Sequence, residues 1–120
     1  MSLGQRMAKI AFDQIERYGA SITISHAVGS GQFDPVSRRA TPAVVKHSGK
    51  GVSQKVGAGE VNGTSIQAGD RRLIVAAMAV PFVPAPNDSV VADGAIWNVS
   101  HVATESAQGV AITHELLIRK

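Results

Sequence analysis

A chain of 120 residues is the size of one domain and can bury its own core without disulfides or structural metal. It has no cysteine, which removes thiol chemistry and thiolate metal sites and suits a reducing compartment, so we expect the cytoplasm. The formal charge is +3, and the longest apolar run, Leu73 to Val83, is broken by Pro81 and is too short to cross a membrane.

The first predicted element is an amphipathic helix over residues 1–19. Its apolar side chains recur at helical spacing, and its charged side chains fall on the other side of the helix. The apolar set is Met7, Ile10, Ala11, Ile15 and Tyr18, and the charged set is Arg6, Lys9, Asp13, Glu16 and Arg17. Gly19 follows at the position where a left-handed C-terminal cap ends many helices.

Strands are predicted after the helix. Ile22, Ile24 and His26 alternate with small residues, which is the pattern of a half-buried strand. Residues 29–40 are rich in turn-forming residues, and residues 41–48 predict a second strand, where Pro42 is tolerated only at the start or on an edge.

The centre of the chain is rich in glycine and in basic residues. Residues 49–69 contain six glycines and few large apolar side chains, so we expect a mobile loop over about residues 46–69, with room for a weak strand. Residues 36–72 carry seven basic and two acidic side chains, a local charge of +5. Such a patch could meet a phosphate backbone, an acidic protein surface or only solvent.

The C-terminal half predicts the rest of a sheet. Residues 71–78 form an apolar strand, and prolines hold residues 80–88 extended. Asp93-Gly94 between two apolar segments predicts a type I′ hairpin, with Trp97 in the core. Strict alternation over residues 110–119 favours a last strand, although residues 114–120 have helical propensity. The fold class is therefore α+β: one domain over residues 1–120, with a mostly antiparallel β-barrel over residues 20–120.

Catalytic and metal-binding patterns are weak. The four histidines fall on separate predicted strands and lack the spacing of a metal site; they are His26, His47, His101 and His114. Serine precedes histidine in Ser25-His26 and Ser100-His101, an order that suggests a nucleophile and its base. Adjacent residues of a strand should point to opposite faces, so we expect neither pair to form such a dyad. The glycine-rich segment does not match a phosphate-binding loop. We therefore expect no enzyme, no cofactor and no metal.

Three aspartates lie next to predicted turns, namely Asp70, Asp88 and Asp93. Aspartate at a turn commonly accepts hydrogen bonds from its own backbone, so we expect these three to cap turns. The enzyme alternative stays open in one form only. It needs the histidines and Asp70 or Asp88 to converge in a pocket.

Four short patterns occur between residues 66 and 120. They are a Gly-Asp before an apolar strand (Gly69, Asp70, then Leu73 to Val75), a proline-led Asp-x-Val step (Pro86, Asp88, Val90), an Asp-Gly turn followed by x-x-Trp-x-Val (Asp93, Gly94, Trp97, Val99), and a final Leu-x-Ile-Arg (Leu116, Ile118, Arg119). Together they resemble the head-tail joining proteins of long-tailed bacteriophages. These are small neck or stopper proteins that bind below the portal and its adaptor.

The resemblance implies a small barrel, a loop directed toward the DNA channel, and a ring of several copies that forms on the connector. It predicts a structural protein of the phage or prophage neck, present in the bacterial cytoplasm during assembly and then in the virion. Its partners would be portal or adaptor proteins, tail proteins and copies of itself, with packaged DNA as a further candidate and no membrane. The alternatives are a tail-terminator or other tail-associated protein and a small nucleic-acid-binding barrel.

Two sets of site residues are predicted, the first from the resemblance and the second from the amphipathic helix, which lies outside the matching region. The loop and its flank, which would face a partner or the DNA channel, contribute Lys46, Lys50, Lys55, Glu60, Arg71 and Arg72. The N-terminal helix would dock on an adjacent ring through Met7, Ile10 and Ile15.

Overall fold

The computed structural model describes residues 2–34, 39–56 and 69–120, and for residues 27–34 and 39–43 it describes the backbone alone. Within these ranges the chain forms one helix and six strands. They are α1 (Leu3–Tyr18), β1 (Ala20–Asp34), β2 (Arg39–Lys55), β3 (Arg71–Ala76), β4 (Ser89–Ala92), β5 (Ala95–Ala107) and β6 (Val110–Arg119).

The six strands close into an antiparallel barrel in the order β1-β2-β3-β6-β5-β4. Alternate side chains of the strands point inward and form the hydrophobic core, as the period of two requires. The core cluster is Ile22, Ile24, Leu73, Val75, Val80, Val90, Ala92, Trp97, Val99, Leu116 and Ile118. The predicted class, a helix followed by a small antiparallel barrel, is confirmed, and so is the core position of Trp97.

The glycine-rich segment is the main correction to the predicted boundaries. Residues 46–55 lie in β2, not in a loop, and pair with β1 and then with β3. Gly51 explains why glycine is used here, because a Cβ at this position would lie 2.9 Å from Leu73 Cδ1 and 3.3 Å from Val75 Cγ1. The crowded inner wall therefore selects glycine in a strand. The rest of the predicted loop, residues 57–68, lies outside the described residues.

The two C-terminal hairpins follow the turn chemistry of the sequence. Asp93 and Gly94 have φ of 52° and 73° and join β4 to β5 in a two-residue turn, which confirms the predicted hairpin. Gln108 and Gly109, with φ of 52° and 76°, join β5 to β6 in the same way. The strand over residues 110–119 is also confirmed, since burial of alternate side chains in the core outweighs local helical propensity.

The helix has a capping box at its start, and its end differs from the prediction. Ser2 caps its start, with Gln5 N–H donating to Ser2 Oγ and Ser2 N–H donating to Gln5 Oε1. The left-handed cap expected at Gly19 is wrong, because Gly19 has φ of −78° and is extended. A Cβ at Gly19 would lie 2.6 Å from Ile15 O and 2.9 Å from Gly51 O, so close approach of helix and barrel requires this glycine.

The barrel has two distinct ends. At the first, which we call the arm end, β1 and β2 run on as a two-stranded arm over residues 26–34 and 39–45, beyond the pairing of β1 with β4 at Thr23–Ser25. Residues 77–88 cross the arm end and pack Val80 and Phe82 against the core. At the second, the far end, β3 begins and β6 finishes. No helix in the described part of the chain has the length and apolar character needed to cross a membrane.

Candidate functional site

The far end is held by an ion pair between residues 49 positions apart in the chain. Arg119 donates from Nε to Asp70 Oδ1 at 2.9 Å and from Nη2 to Asp70 Oδ2 at 2.8 Å. Asp70 is only 3% exposed, so its charge is stabilised by this two-pronged contact. The hydrogen bonds to Asp70 raise the pKa of Arg119; burial opposes this rise, and the negative charge of Asp70 adds to it. The sequence predicted only that Asp70 caps a turn, and it did not predict the ion pair with Arg119.

The two predicted arginines on β3 are also engaged. Arg71 donates to Asp93 Oδ2 at 2.8 Å and to Ser53 Oγ at 3.2 Å, and its guanidinium lies 5.7 Å from the centre of the Trp97 ring. Arg72 pairs with Glu115 at 2.8 Å. Both positive charges are thus partly neutralised within the barrel wall.

The predicted lysines lie on β2, and two of them share the outer face of the barrel. Lys46 and Lys50 stand opposite Ser25 and Ser21 of β1, on the side away from the core. Lys50 Nζ donates to Ser21 Oγ at 3.3 Å, while Lys46 is exposed. No ion pair within the described residues includes Lys46, Lys50 or Lys55.

The outer face around these lysines carries hydroxyl groups. Ser48 lies between the two lysines, and its Oγ is 3.2 Å from Thr23 Oγ1. A shallow groove of about 580 Å³ opens here, lined by Glu16, Ser21, Ile22, Thr23, Ser48, Gly49, Lys50 and Val91. Lys55 instead ends β2 opposite Arg71. Glu60, the remaining member of the predicted set, lies outside the described residues.

The predicted docking face of the helix is divided by the structure. Ile15 is buried against the barrel at 7% exposure, together with Gly4 and Ala8. Met7 and Ile10 remain 41% and 60% exposed. The inclusion of Ile15 in a docking face is therefore wrong, because the small residues Gly4 and Ala8 let the barrel approach the helix on the side of Ile15.

A histidine and an aspartate converge at the arm end, which the sequence did not reveal. His26 donates from Nδ1 to Asp88 Oδ2 at 2.7 Å, and Ala85 N–H donates to the same oxygen at 2.8 Å. The His26 ring stacks on Phe82 with 4.8 Å between ring centres. Asp88 is 5% exposed. Asp88 caps its own turn as predicted, and it also ties β1 to the segment that crosses the arm end.

The enzyme alternative requires the histidines and Asp70 or Asp88 to converge in a pocket, and the structure brings one histidine, His26, to Asp88. Asp88 has a histidine partner, whereas Asp70 lies at the far end and is bound by Arg119. His26 and Asp88 are 62 residues apart in the chain, so no short sequence motif could reveal their contact. Only the closed barrel brings β1 beside the turn before β4. The one available hint was that His26 continues the inward alternation of Ile22 and Ile24.

The other histidines are used differently. His114 is 3% exposed inside the barrel, and its Nδ1 lies 2.8 Å from Thr104 Oγ1. Burial lowers the pKa of His114 below its usual value, because the charged imidazolium is poorly solvated there. His101 Nδ1 lies 3.4 Å from Ser100 Oγ. The expectation that adjacent residues point apart is wrong here, because a register irregularity between Val99 and His101 turns the strand.

Among the described residues no group of three His, Asp or Glu side chains is placed to hold a metal ion. No protein-family model matches the chain, and a comparison with curated proteins found no match. Its function must be inferred from its own residues and surfaces.

Proposed function

We propose that this chain is a non-enzymatic structural protein of the head-tail connector of a phage or prophage, where it joins or closes the head-tail interface by assembling into a ring. The proposal starts from the resemblance of residues 66–120 to neck proteins. It adds that the described surface carries several apolar areas that a single copy leaves uncovered.

Most of the residues that carry the resemblance lie in the barrel wall and at its far end, whereas Pro86 and Asp88 lie at the arm end. Asp70 and Arg119, which lie near the two ends of the matching region, form the two-pronged ion pair. Asp93 and Gly94 make the turn between β4 and β5, and Trp97 Nε1 donates to Ala92 O at 3.1 Å beside it. The likeness thus concerns residues that hold the barrel together, which supports a shared architecture.

The observation that carries the proposal is the exposed apolar surface. Large apolar side chains on the helix, on the outer barrel wall and at the arm end are between 38% and 71% exposed. They are Leu3, Met7, Ile10, Tyr18, Val44, Val45, Met78, Val83, Val91 and Ile96. Where such side chains stand together, as on the helix, they are typical of surfaces that other proteins cover. A ring component has a neighbour on each of two sides, and a connector ring has further partners at its two ends.

The proposed partners would cover these exposed areas. Copies of the same chain would cover the lateral faces, while portal or adaptor proteins and tail proteins would cover the two ends. The outward Lys46 and Lys50 offer a contact for packaged DNA. Assembly would take place in the bacterial cytoplasm, and the finished protein would reside in the virion neck.

The decisive experiment deletes the gene from a phage genome that encodes this chain and examines the particles by electron microscopy. We expect DNA-filled heads and finished tails that fail to join, and joining should return when the chain is supplied from a plasmid. Tails of uncontrolled length would favour the tail-terminator alternative. Normal joined particles would overturn the proposal.

A further inference from the structure

We propose that neighbouring copies dock head to tail, with the exposed stripe of α1 in one copy covering an apolar patch on the outer barrel wall of the next. The inference rests on the ring assembly proposed above and assigns its lateral interface. The helix stripe is Leu3, Met7, Ile10 and Tyr18. The sheet patch is Val91 of β4 and Ile96 of β5.

The helix has more apolar surface than its own barrel uses. At 100° per residue, the apolar positions from Ile10 round to Phe12 span an arc of roughly 200°, interrupted only by Gln14, whereas packing on one neighbour needs about 100°. The barrel buries the half that contains Gly4, Ala8 and Ile15. The helix stripe occupies the other half, with exposures of 56%, 41%, 60% and 71%. A helix of this kind is suited to lie between two layers.

The sheet patch is the matching surface. Val91 and Ile96 are directly opposite each other on β4 and β5 and point away from the core, because their neighbours Val90 and Trp97 point into it. They are 46% and 71% exposed. In its own copy α1 packs mainly against β6, with further contacts to β2, β3 and β5. The groove beside Val91 gives room for side chains that rise from a helix.

Charge favours a sheet over a second helix as the occupant. The outer border of the helix stripe, next to Ile10, is formed by Arg6 and Arg17 on the helical wheel. Two helix stripes packed antiparallel about a two-fold axis would bring the arginines of both copies together, which is repulsive. The nearest cross-strand neighbours of the sheet patch are uncharged, namely Thr23 beside Val91 and the pair Ser89 and Asn98. Beyond them the charges are mixed, because Glu16 and Lys50 line the groove and Arg119 stands opposite Asn98.

The two surfaces differ, so the contact is heterologous and repeats from copy to copy, which closes a ring when the rotation allows it. The contact is also small. A stable independent interface buries about 800 Å² per partner, more than four helical side chains and two strand residues supply. A free subunit should therefore associate weakly, while each copy in a closed ring gains two such contacts.

Cross-linking can test the geometry, because the chain has no cysteine of its own. Ile10→Cys and a mass-tagged Ile96→Cys are mixed at high concentration and treated with a short bis-maleimide. We expect the mixed dimer to exceed either homodimer by about tenfold, because only the mixed pair places both thiols in the proposed contact and so raises their effective concentration. Val83→Cys, 66% exposed at the arm end, replaces Ile96→Cys in the matched control. Met7→Cys with Val91→Cys is a second pair, should either first variant fold poorly.

Each result decides the inference. A homodimer of Ile10→Cys alone would show a helix-to-helix contact, and one of Ile96→Cys alone would show a sheet-to-sheet contact; both overturn it. Cross-linking no greater than the Val83→Cys control, with both pairs of folded variants, overturns it as well. The gene-deletion experiment is independent, because unjoined heads and tails without this cross-link would retain the neck function and reject only the interface.

Discussion

At the scale of single residues, the barrel depends on a few polar contacts between distant parts of the chain. Asp70→Asn removes the charge that Arg119 binds while keeping the shape of the side chain. We expect the melting temperature to fall by several degrees, because a guanidinium at the barrel end loses its buried carboxylate partner. Thermal unfolding followed by circular dichroism measures the effect.

Asp93→Asn is the matched control for this substitution. The carboxylate of Asp93 also binds an arginine, but it is 52% exposed, and asparagine tolerates the positive φ of this turn. Its loss should cost less than about 1 kcal/mol. Equal losses for the two variants would mean that the burial of Asp70 adds nothing to the far end.

The buried His114 predicts a specific dependence of stability on pH. Its folded pKa lies below the ordinary value of 6.5, so protons bind the unfolded chain preferentially. The contribution of neutral His114 to the free energy of unfolding is complete above pH 6.5, and it is lost as the pH falls through the lower pKa of the folded state. Each unit between the two pKa values corresponds to about 1.4 kcal/mol.

Urea unfolding at a series of pH values between 7.5 and 5 tests this expectation, with the pH values chosen around the ordinary histidine pKa. His114→Gln should lose less stability on acidification than the unsubstituted chain, whatever its starting stability. His101→Gln, at an exposed position, should keep the original slope. A His114→Gln profile parallel to that of the unsubstituted chain would show that another group governs the acid limb.

At the scale of elements, the contact of helix and barrel depends on small residues. A Cβ at Gly4 would collide with the carbonyl oxygen of Ala107 and would lie 2.9 Å from Val110 Cβ. Gly4→Ala should therefore destabilise the protein by about 1–3 kcal/mol through overpacking. Helix propensity alone predicts the opposite, a gain of up to about 1 kcal/mol.

Chemical denaturation distinguishes the two outcomes for Gly4→Ala. Gln14→Ala, on the exposed side of the same helix, should be neutral or slightly stabilising and controls for propensity. If both variants gain stability, the helix is not held against β5 and β6 at this point.

The elements also show where sequence patterns succeed and fail. Alternation and the Asp93-Gly94 turn identified the C-terminal strands, because both are local properties of the chain. The helical spacing of apolar residues located the helix but not the side that packs on the barrel. The apolar arc is wider than one interface needs, and the small Gly4 sets which side approaches the barrel. The glycine content of residues 49–55 suggested a loop, whereas Gly51 serves a crowded inner wall that exists only once Leu73 and Val75 are folded beside it.

At the scale of the whole molecule, the closed barrel creates contacts that no local pattern contains. His26 meets Asp88 across 62 residues, and Asp70 meets Arg119 across 49. Antiparallel closure fixes which residues share an end, so knowing the strand order would have predicted both pairs. The surfaces left outside the closed wall are the ones on which the proposed assembly depends, namely the helix stripe, the sheet patch and the lysines of β2.

The lysines give the last prediction, which concerns the charge of the whole chain. Residues 36–72 carry an excess of positive charge, and part of it is neutralised because Arg71 and Arg72 pair with carboxylates. The positive charge that remains on the outer face of β2 belongs to its lysines. Lys46 and Lys50 stand there on alternate outward positions, about 14 Å apart along the strand. With the hydroxyl of Ser48 between them, they form a row that can follow phosphates of a nucleic acid strand.

We expect the free protein to bind duplex DNA weakly and without sequence preference, with an affinity that falls steeply as salt rises. Fluorescence anisotropy of a labelled duplex at several salt concentrations gives the slope of log affinity against log salt. Replacing both Lys46 and Lys50 by alanine should reduce that slope by about two, one for each phosphate contact removed. Lys9→Ala, on the polar side of the helix, should leave it unchanged. Binding that is absent even at low salt would exclude direct contact of the free subunit with DNA and assign the outer face of β2 to protein partners.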